Sequence, residues 1–214
     1  MASVERKYRR TIIRTVMIGF MLSAFAFAGS AKLKDSDFVR VKDHIPTIYV
    51  DLRYASERNF MRKKVYNFHE AYLRYGTVKK LKRVQEALIK KGYSLKIWDA
   101  FRPTYAQWEL WKVTPDARYV ANPNKTFSPH SKGHTVDITM VSLDGAEIPM
   151  PTEFDTFTAK ADRDYSDLSP EERRNGKILE DEMIRGGFKG NRNEWWHYSD
   201  AVQYPVEKIF VPAK

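Results

Sequence analysis

No cysteine occurs among the 214 residues, and this absence constrains the chain more than any residue it contains. Disulfides cannot staple the fold, so its stability has to come from a buried apolar core. Thiolate nucleophiles and cysteine-ligated metal sites are excluded at the same time. A metal, if one is bound, must be held by His, Asp or Glu. The length suits one domain with a substantial core and is short for two. A hydrophobic share of 43% beside 30% charged residues belongs to a folded domain rather than a disordered chain. Aromatic residues make up 14% and are spread along the chain, which points to bulky side chains around a cleft rather than a long helical bundle.

The N-terminus has a different character. Arg6, Lys7, Arg9, Arg10 and Arg14 face only Glu5, and Thr15 to Ala28 then run without a charge. Ala26-Phe27-Ala28, ahead of Gly29, has the small-x-small pattern of a signal-peptidase site. The expected organisation is a signal peptide over residues 1–28 and one domain over 29–214. That domain would be exported to the periplasm or cell envelope and keep no stable membrane association after cleavage. An uncleaved anchor competes with this reading, because the uncharged run is at the short end for a membrane-spanning helix. Of the formal net charge of +10, +4 lies in residues 1–28 and +6 in the remainder. A charge of that size is compatible with an acidic wall or lipid surface and equally with a solvated face. The basic residues are scattered and carry no recognisable binding motif, which argues against nucleic acid.

Periodicity divides the rest. Residues 47–54 alternate as a strand does. Val78, Leu81, Val84, Leu88 and Ile89 recur at helical spacing over Thr77 to Lys91, and Gly92 ends that helix. A short buried strand is expected over Ser94 to Asp99, a second helix over Thr104 to Val113, and loop over 115–134. In Thr135 to Leu143, Val136, Ile138 and Met140 point one way while Asp137 and Thr139 point the other. Asp144-Gly145 is a hairpin signal. Ser169-Pro170-Glu171-Glu172 reads as a capping box opening a helix that stops at Gly186-Gly187. Glu194 to Tyr198 reads as a last strand. Helices followed by closely spaced strands imply an α+β domain around a small central antiparallel sheet.

Five histidines exist: His44, His69, His130, His134 and His197. His130 sits in a Ser/Pro/Gly-rich loop, and Asp137 follows on the strand face away from the apolar residues. A carboxylate aimed there needs a partner, and a cation would supply one. His197 lies within Glu194-Trp195-Trp196-His197-Tyr198, among aromatics that exclude water. Two imidazoles and a carboxylate form a standard catalytic zinc set with one position left open. Glu194 is then the natural group to take a proton from water and pass it to a leaving amine. Arg102, closing a buried strand, is placed to stabilise an oxyanion. Spacing alone leaves a second reading open, in which these are a capped loop histidine and a hydrogen-bonded core histidine.

Ser128-Pro129-His130-Ser131-Lys132-Gly133-His134-Thr135-Val136-Asp137 and Glu194-Trp195-Trp196-His197 together resemble the signature of the D-alanyl-D-alanine dipeptidases. These form the dipeptidase branch of the zinc D,D-peptidase clan that includes the vancomycin-resistance dipeptidases. The resemblance extends to Asp51-Leu52-Arg53-Tyr54-Ala55 with Asn59-Phe60, to Trp98-Asp99-Ala100-Phe101-Arg102-Pro103 and to Phe154-Asp155. It runs in order from about residue 45 to the C-terminus. It implies the Hedgehog/D,D-peptidase-like fold and one zinc ion per chain held by His130, Asp137 and His197. It implies Glu194 as general base and acid, Arg102 as oxyanion partner, and Tyr54, Ser128 and Asp155 as substrate-pocket residues, with Asp155 facing the substrate's free amino group. The expected substrate is a small D,D-dipeptide, and the expected reaction is hydrolysis to free D-alanine in cell-wall turnover. Two departures stand out. His134 replaces a residue that is more often small and reads as a surface loop histidine, and Lys132 replaces a commoner arginine. His44 and His69 have no motif around them.

Two competing functions remain. A D,D- or L,D-carboxypeptidase of the same clan would act on longer stem peptides, which export and positive charge favour. A wall-binding module would keep the metal fold without turnover, and its mark would be the loss of Glu194 or Arg102.

Overall fold

The computed structural model describes residues 32–117 and 119–213; the signal peptide expected over residues 1–28 lies outside them. In chain order the elements are β1 (Phe38–Arg40), α1 (Val41–His44), β2 (Tyr49–Val50), β3 (Tyr72–Arg74), α2 (Tyr75–Ile89), β4 (Tyr93–Asp99), α3 (Thr104–Val113), β5 (Thr135–Ser142), α4 (Pro170–Arg185), β6 (Phe188–Asn191) and β7 (Glu194–Asp200). The mixed α+β class follows the sequence pattern. No helix among the described residues is long and apolar enough to cross a membrane.

The helices form where periodicity and caps coincide. Helix α2 buries Val78, Leu81, Val84 and Leu88 along one stripe, and Gly92 then takes a left-handed φ of 85° that ends the helical run. Helix α4 opens with the full capping box, Ser169 accepting from Glu172 N and the Glu172 carboxylate accepting from Ser169 N. Its buried Leu179 and Met183 join Leu81 and Leu88 against the sheet. Each such aliphatic side chain, removed wholly from water, contributes about 1.5–3 kcal/mol.

The main sheet has the order β2-β4-β5-β7-β6, and a separate antiparallel pair joins β1 to β3. Three of the four pairings in the main sheet are antiparallel, in keeping with the small antiparallel sheet expected, and β2 alone runs parallel to its neighbour β4. The strand expected over 47–54 is also cut to Tyr49–Val50. The chain turns into a single 3-10 turn, Arg53–Ala55, because the Tyr54 carbonyl accepts the N–H groups of both Val65 and Tyr66 at 2.8 Å. The turn at Asp144-Gly145 is present, with Gly145 at φ 87°. The chain beyond it makes one isolated bridge, Val141 to Glu147, rather than a strand.

Strand β5 is central and regular. Val136, Ile138 and Met140 lie on the face that holds Leu95 and Ile97 of β4, their direct partners being Ile138 with Ile97 and Met140 with Leu95. Asp137 and Thr139 lie on the other face, which is buried as well. Strand β4 has a register shift between Ile97 and Asp99, so that Asp99 stands opposite Asp137. Unbroken alternation would have sent Asp99 to the apolar face with Leu95 and Ile97; the bulge turns it toward Asp137 instead.

Candidate metal centre and active site

All eight residues singled out from the sequence line one cavity of about 190 Å³: Tyr54, Arg102, Ser128, His130, Asp137, Asp155, Glu194 and His197. Phe60, Tyr119, Phe157 and Trp196 supply aromatic walls. The volume falls below the roughly 300–1,000 Å³ of sites for drug-sized ligands, so the cavity suits something small.

His130 occupies a 3-10 turn, Pro129–Lys132, capped by the Ser128 hydroxyl, which accepts from His130 N at 3.3 Å. Ser131 Oγ ties the turn to the Arg102 carbonyl at 2.8 Å. His130 Nδ1 is 2.8 Å from the Ala100 carbonyl, an acceptor that assigns the proton to Nδ1 and leaves the Nε2 lone pair free. Across the sheet, Asp137 of β5 pairs directly with His197 of β7. His130 Nε2 lies 3.3 Å from His197 Nδ1 and 3.3 Å from Asp137 Oδ1, and the last two atoms are 3.0 Å apart. Bonds of about 2.0–2.1 Å to a tetrahedral zinc ion place neighbouring ligand atoms roughly 3.3 Å apart. These three atoms therefore already form one face of such a tetrahedron, and the residues fit a metal ion. The charge balance fits too. The carboxyl groups of Asp99, Asp137, Asp155 and Glu194 surround the single Arg102 guanidinium, and a dication would offset the excess.

That crowding shows in the titration of the site. Burial alone would raise Asp137, but His130 and His197 outweigh it and hold the carboxylate well below its usual range. Burial lowers His197, whereas the hydrogen bond and charge of Asp137 carry it above the ordinary imidazole value. Glu194 is raised by burial, with Asp137 adding to the effect against His197. Asp155 is raised well above the carboxylate range by burial and by Asp137, although its hydrogen bond from Tyr54 Oη (2.9 Å) opposes the shift. Asp155 also holds a left-handed φ of 55°, strain that a non-glycine residue keeps only where its surroundings impose it.

Arg102 reaches the cavity with its charge already engaged. Nε and Nη2 donate to Asp99 Oδ2 at 2.9 and 2.7 Å, Nη1 donates to Gln107 Oε1 at 3.2 Å, and Nη2 stands 3.7 Å from Asp137 Oδ2. Asp99 is fully buried and also accepts from Tyr66 Oη at 2.7 Å and from Ala100 N at 2.9 Å. Sequence reasoning gave Asp99 no role. The available signal was a carboxylate closing a buried strand three residues before an arginine. Asn191 was missed too. Its Nδ2 donates to Glu194 Oε2 at 2.9 Å, and it sits directly across the β6–β7 turn from Glu194.

His134 corrects an expectation. It is buried rather than a surface loop residue and packs 6.0 Å from the Tyr204 ring. It lies outside the three-ligand cluster, and its carbonyl accepts from Asp200 N at 2.8 Å. His69 is exposed, and His44 is half-buried against Tyr75.

Comparisons with known proteins identify the family. The chain is 31% identical to the D-alanyl-D-alanine dipeptidase of Escherichia coli (strain K12), over 75% of its own length and 84% of the relative's. It is 29% identical to the D-alanyl-D-alanine dipeptidase of Enterococcus faecium, over 77% and 92%. It is likewise 29% identical to that of Streptomyces coelicolor (strain ATCC BAA-471 / A3(2) / M145), over 76% and 91%. The sequence profile of the D-ala-D-ala dipeptidases matches residues 34–212, and the chain belongs to that family of M15 peptidases.

Proposed function

We propose that the chain is an exported zinc dipeptidase that hydrolyses D-alanyl-D-alanine to free D-alanine in cell-wall turnover. One observation carries the reading: a three-atom metal face and a separate carboxylate, Glu194, meet in a single small cavity that the half-buried carboxyl group of Asp155 also lines. His130, Asp137 and His197 would hold one zinc ion. When bound there, the ion polarises the scissile carbonyl and acidifies water. Glu194 Oε2, 3.4 Å from His197 Nδ1, is free of the ligand set and can take a proton from water and deliver it to the leaving amine. Its raised pKa suits both halves of that task. Arg102 meets the developing oxyanion, and Asp99 fixes the plane of its guanidinium. Asp155, hydrogen-bonded to Tyr54, faces the substrate's α-ammonium group, and that cation would draw Asp155 back to its ionised form. The basic Arg6–Arg14 stretch ahead of the uncharged Thr15–Ala28 run supports export, and the names of the relatives support the dipeptide.

A second reading has its own support. A neighbouring cleft of about 260 Å³ shares Tyr119, Phe157, Glu194 and Trp196 with the first cavity, room that a longer stem peptide would use. The test is hydrolysis of D-alanyl-D-alanine and of a wall pentapeptide, with zinc, after chelation, and with Glu194→Gln. Dipeptide cleavage that needs both metal and Glu194 is the expected result. Release of terminal D-alanine from the pentapeptide alone would replace it with a carboxypeptidase. Stoichiometric zinc without turnover would leave a binding module.

A further inference from the structure

Side chains three residues apart on a strand point to opposite faces, yet Glu194 and His197 meet at 3.4 Å. The register of β6 and β7 explains how. Asn191 pairs with Glu194 and Gly190 pairs with Tyr198, so one step along β6 answers four along β7. Trp195, Trp196 and His197 are left without partners on β6, and the adjacent Trp195 and Trp196 are both buried. Such a bulge leaves backbone carbonyls without a ladder partner in a place closed to water, and these need donors.

One side chain supplies them. Arg163 Nη2 donates to the carbonyls of Glu194 (3.3 Å), Trp195 (3.0 Å) and His197 (3.0 Å). Arg163 Nε donates to the Asn191 carbonyl at 2.7 Å and Nη1 to Tyr198 Oη at 3.0 Å. The guanidinium lies 4.3 Å from the centre of the Tyr198 ring, and Glu180 stands behind it at 3.4 Å. Room for it depends on Gly190, where a Cβ would come within 2.4 Å of the guanidinium carbon. We propose that Arg163 is a positioning residue: its guanidinium replaces the missing stretch of β6 and fixes the Glu194–His197 backbone, which sets the Glu194 carboxylate beside His197. The inference rests on the reading above, in which both residues serve the reacting centre.

The experiment compares Arg163→Lys, Arg163→Ala, Gly190→Ala and Glu194→Gln on D-alanyl-D-alanine with zinc, measuring kcat, KM, bound zinc and folded fraction. Gly190→Ala is the variant that keeps Arg163 and displaces its head. Loss of the planar donor set should lower kcat by about 10²-fold, the scale of an ångström-sized misplacement. KM should stay close to the parent value, because no hydrogen bond of Arg163 reaches Tyr54 or Asp155; since Arg163 also holds the carbonyl of the proposed ligand His197, kcat is compared at saturating zinc and at equal bound zinc. Millimolar guanidinium ion should restore part of kcat in Arg163→Ala and none in Glu194→Gln. A folded Arg163→Lys or Gly190→Ala with the parent kcat overturns the proposal. So does a loss that only tracks the unfolded fraction, including failure of all the Arg163 and Gly190 variants to fold, since Arg163 would then be a folding residue. If Glu194→Gln is itself fully active, the assignment of Glu194 falls instead, and the two failures are told apart.

Discussion

Strands β5 and β7 lie side by side and each contributes to the candidate metal face, but they do so in opposite ways. Strand β5 is regular. Its period-two alternation sends Val136, Ile138 and Met140 to the core and Asp137 to the site, and nothing remote is needed to hold it. Strand β7 is regular only where it pairs with β5, through Ser199, Tyr198 and His197. On the N-terminal side of His197 it leaves β5 and bulges from β6, and the carboxylate proposed as proton carrier sits where that bulge begins, at Glu194 opposite Asn191. The difference separates two demands. A metal ligand needs a rigid position, which the centre of a sheet supplies. A group that must approach the metal without binding it needs a position just off the lattice of the sheet, which a bulge supplies.

The largest expected effects test this division directly. Asp137→Ala removes the β5 contribution and should abolish zinc binding, with activity falling to the level of the chelated parent; equilibrium dialysis and the dipeptide assay read both. Glu194→Gln removes the proton carrier at the β7 bulge while the β7 ligand His197 stays, and should leave zinc bound while kcat falls by about 10²–10⁴-fold, the range for a general acid–base group. Loss of zinc in Glu194→Gln would mean that the bulged part of β7 and the regular β5–β7 pair do not divide the labour.

A smaller effect is expected where the β5 side turns. Gly133, between the His130 turn and β5, has φ 76°, and a Cβ there would lie 2.4 Å from the Phe38 ring. Left-handed strain and the collision with a stacked ring, Phe38 lying against Phe210 at 4.3 Å, add up for Gly133→Ala. The cost is about 3–4 kcal/mol of stability. Chemical denaturation measures it, and a change under about 1 kcal/mol would show the turn to be adaptable.

The same contrast explains how much could be read from the residues alone. Helices α2, α3 and α4 and strand β5 follow from apolar spacing and caps, because each is regular and its signals are local. The metal face was legible through the fixed spacing of His130 and Asp137 and through the resemblance carried by the Glu194–His197 motif. Asp99 was not, because its direction is set by a bulge in β4 that the sequence does not announce, and alternation points it to the wrong face. Arg163 was not, because it lies about thirty residues from the strand it props and belongs to no motif. The parallel pairing of β2 escaped for a related reason: which strand the short Tyr49–Val50 segment lies beside is a tertiary matter with no local signal.

His134 offers the smallest expected effect and extends the comparison to the far side of β5. Buried beside Tyr204, it is pushed down from 6.5 to about 4, first by burial and then by Lys132, with His130 and His197 adding to the shift. The Asp200 carboxylate opposes this, but it is engaged by Lys80 and Thr77. The unfolded chain therefore binds a proton on this imidazole at a higher pH than the folded chain does. Stability attributable to His134 is complete above about pH 7, falls as the pH drops from about 6.5 toward 4, and levels off below that, for a total of about 2–3 kcal/mol. In His134→Phe that part of the acid limb should disappear while the neutral-pH stability is kept. Denaturation midpoints of the two proteins from pH 7 to pH 4 measure the difference. Parallel curves would mean that the imidazole takes up its proton without leaving its place in the fold, and that the β5 flank tolerates a buried charge as the metal side does.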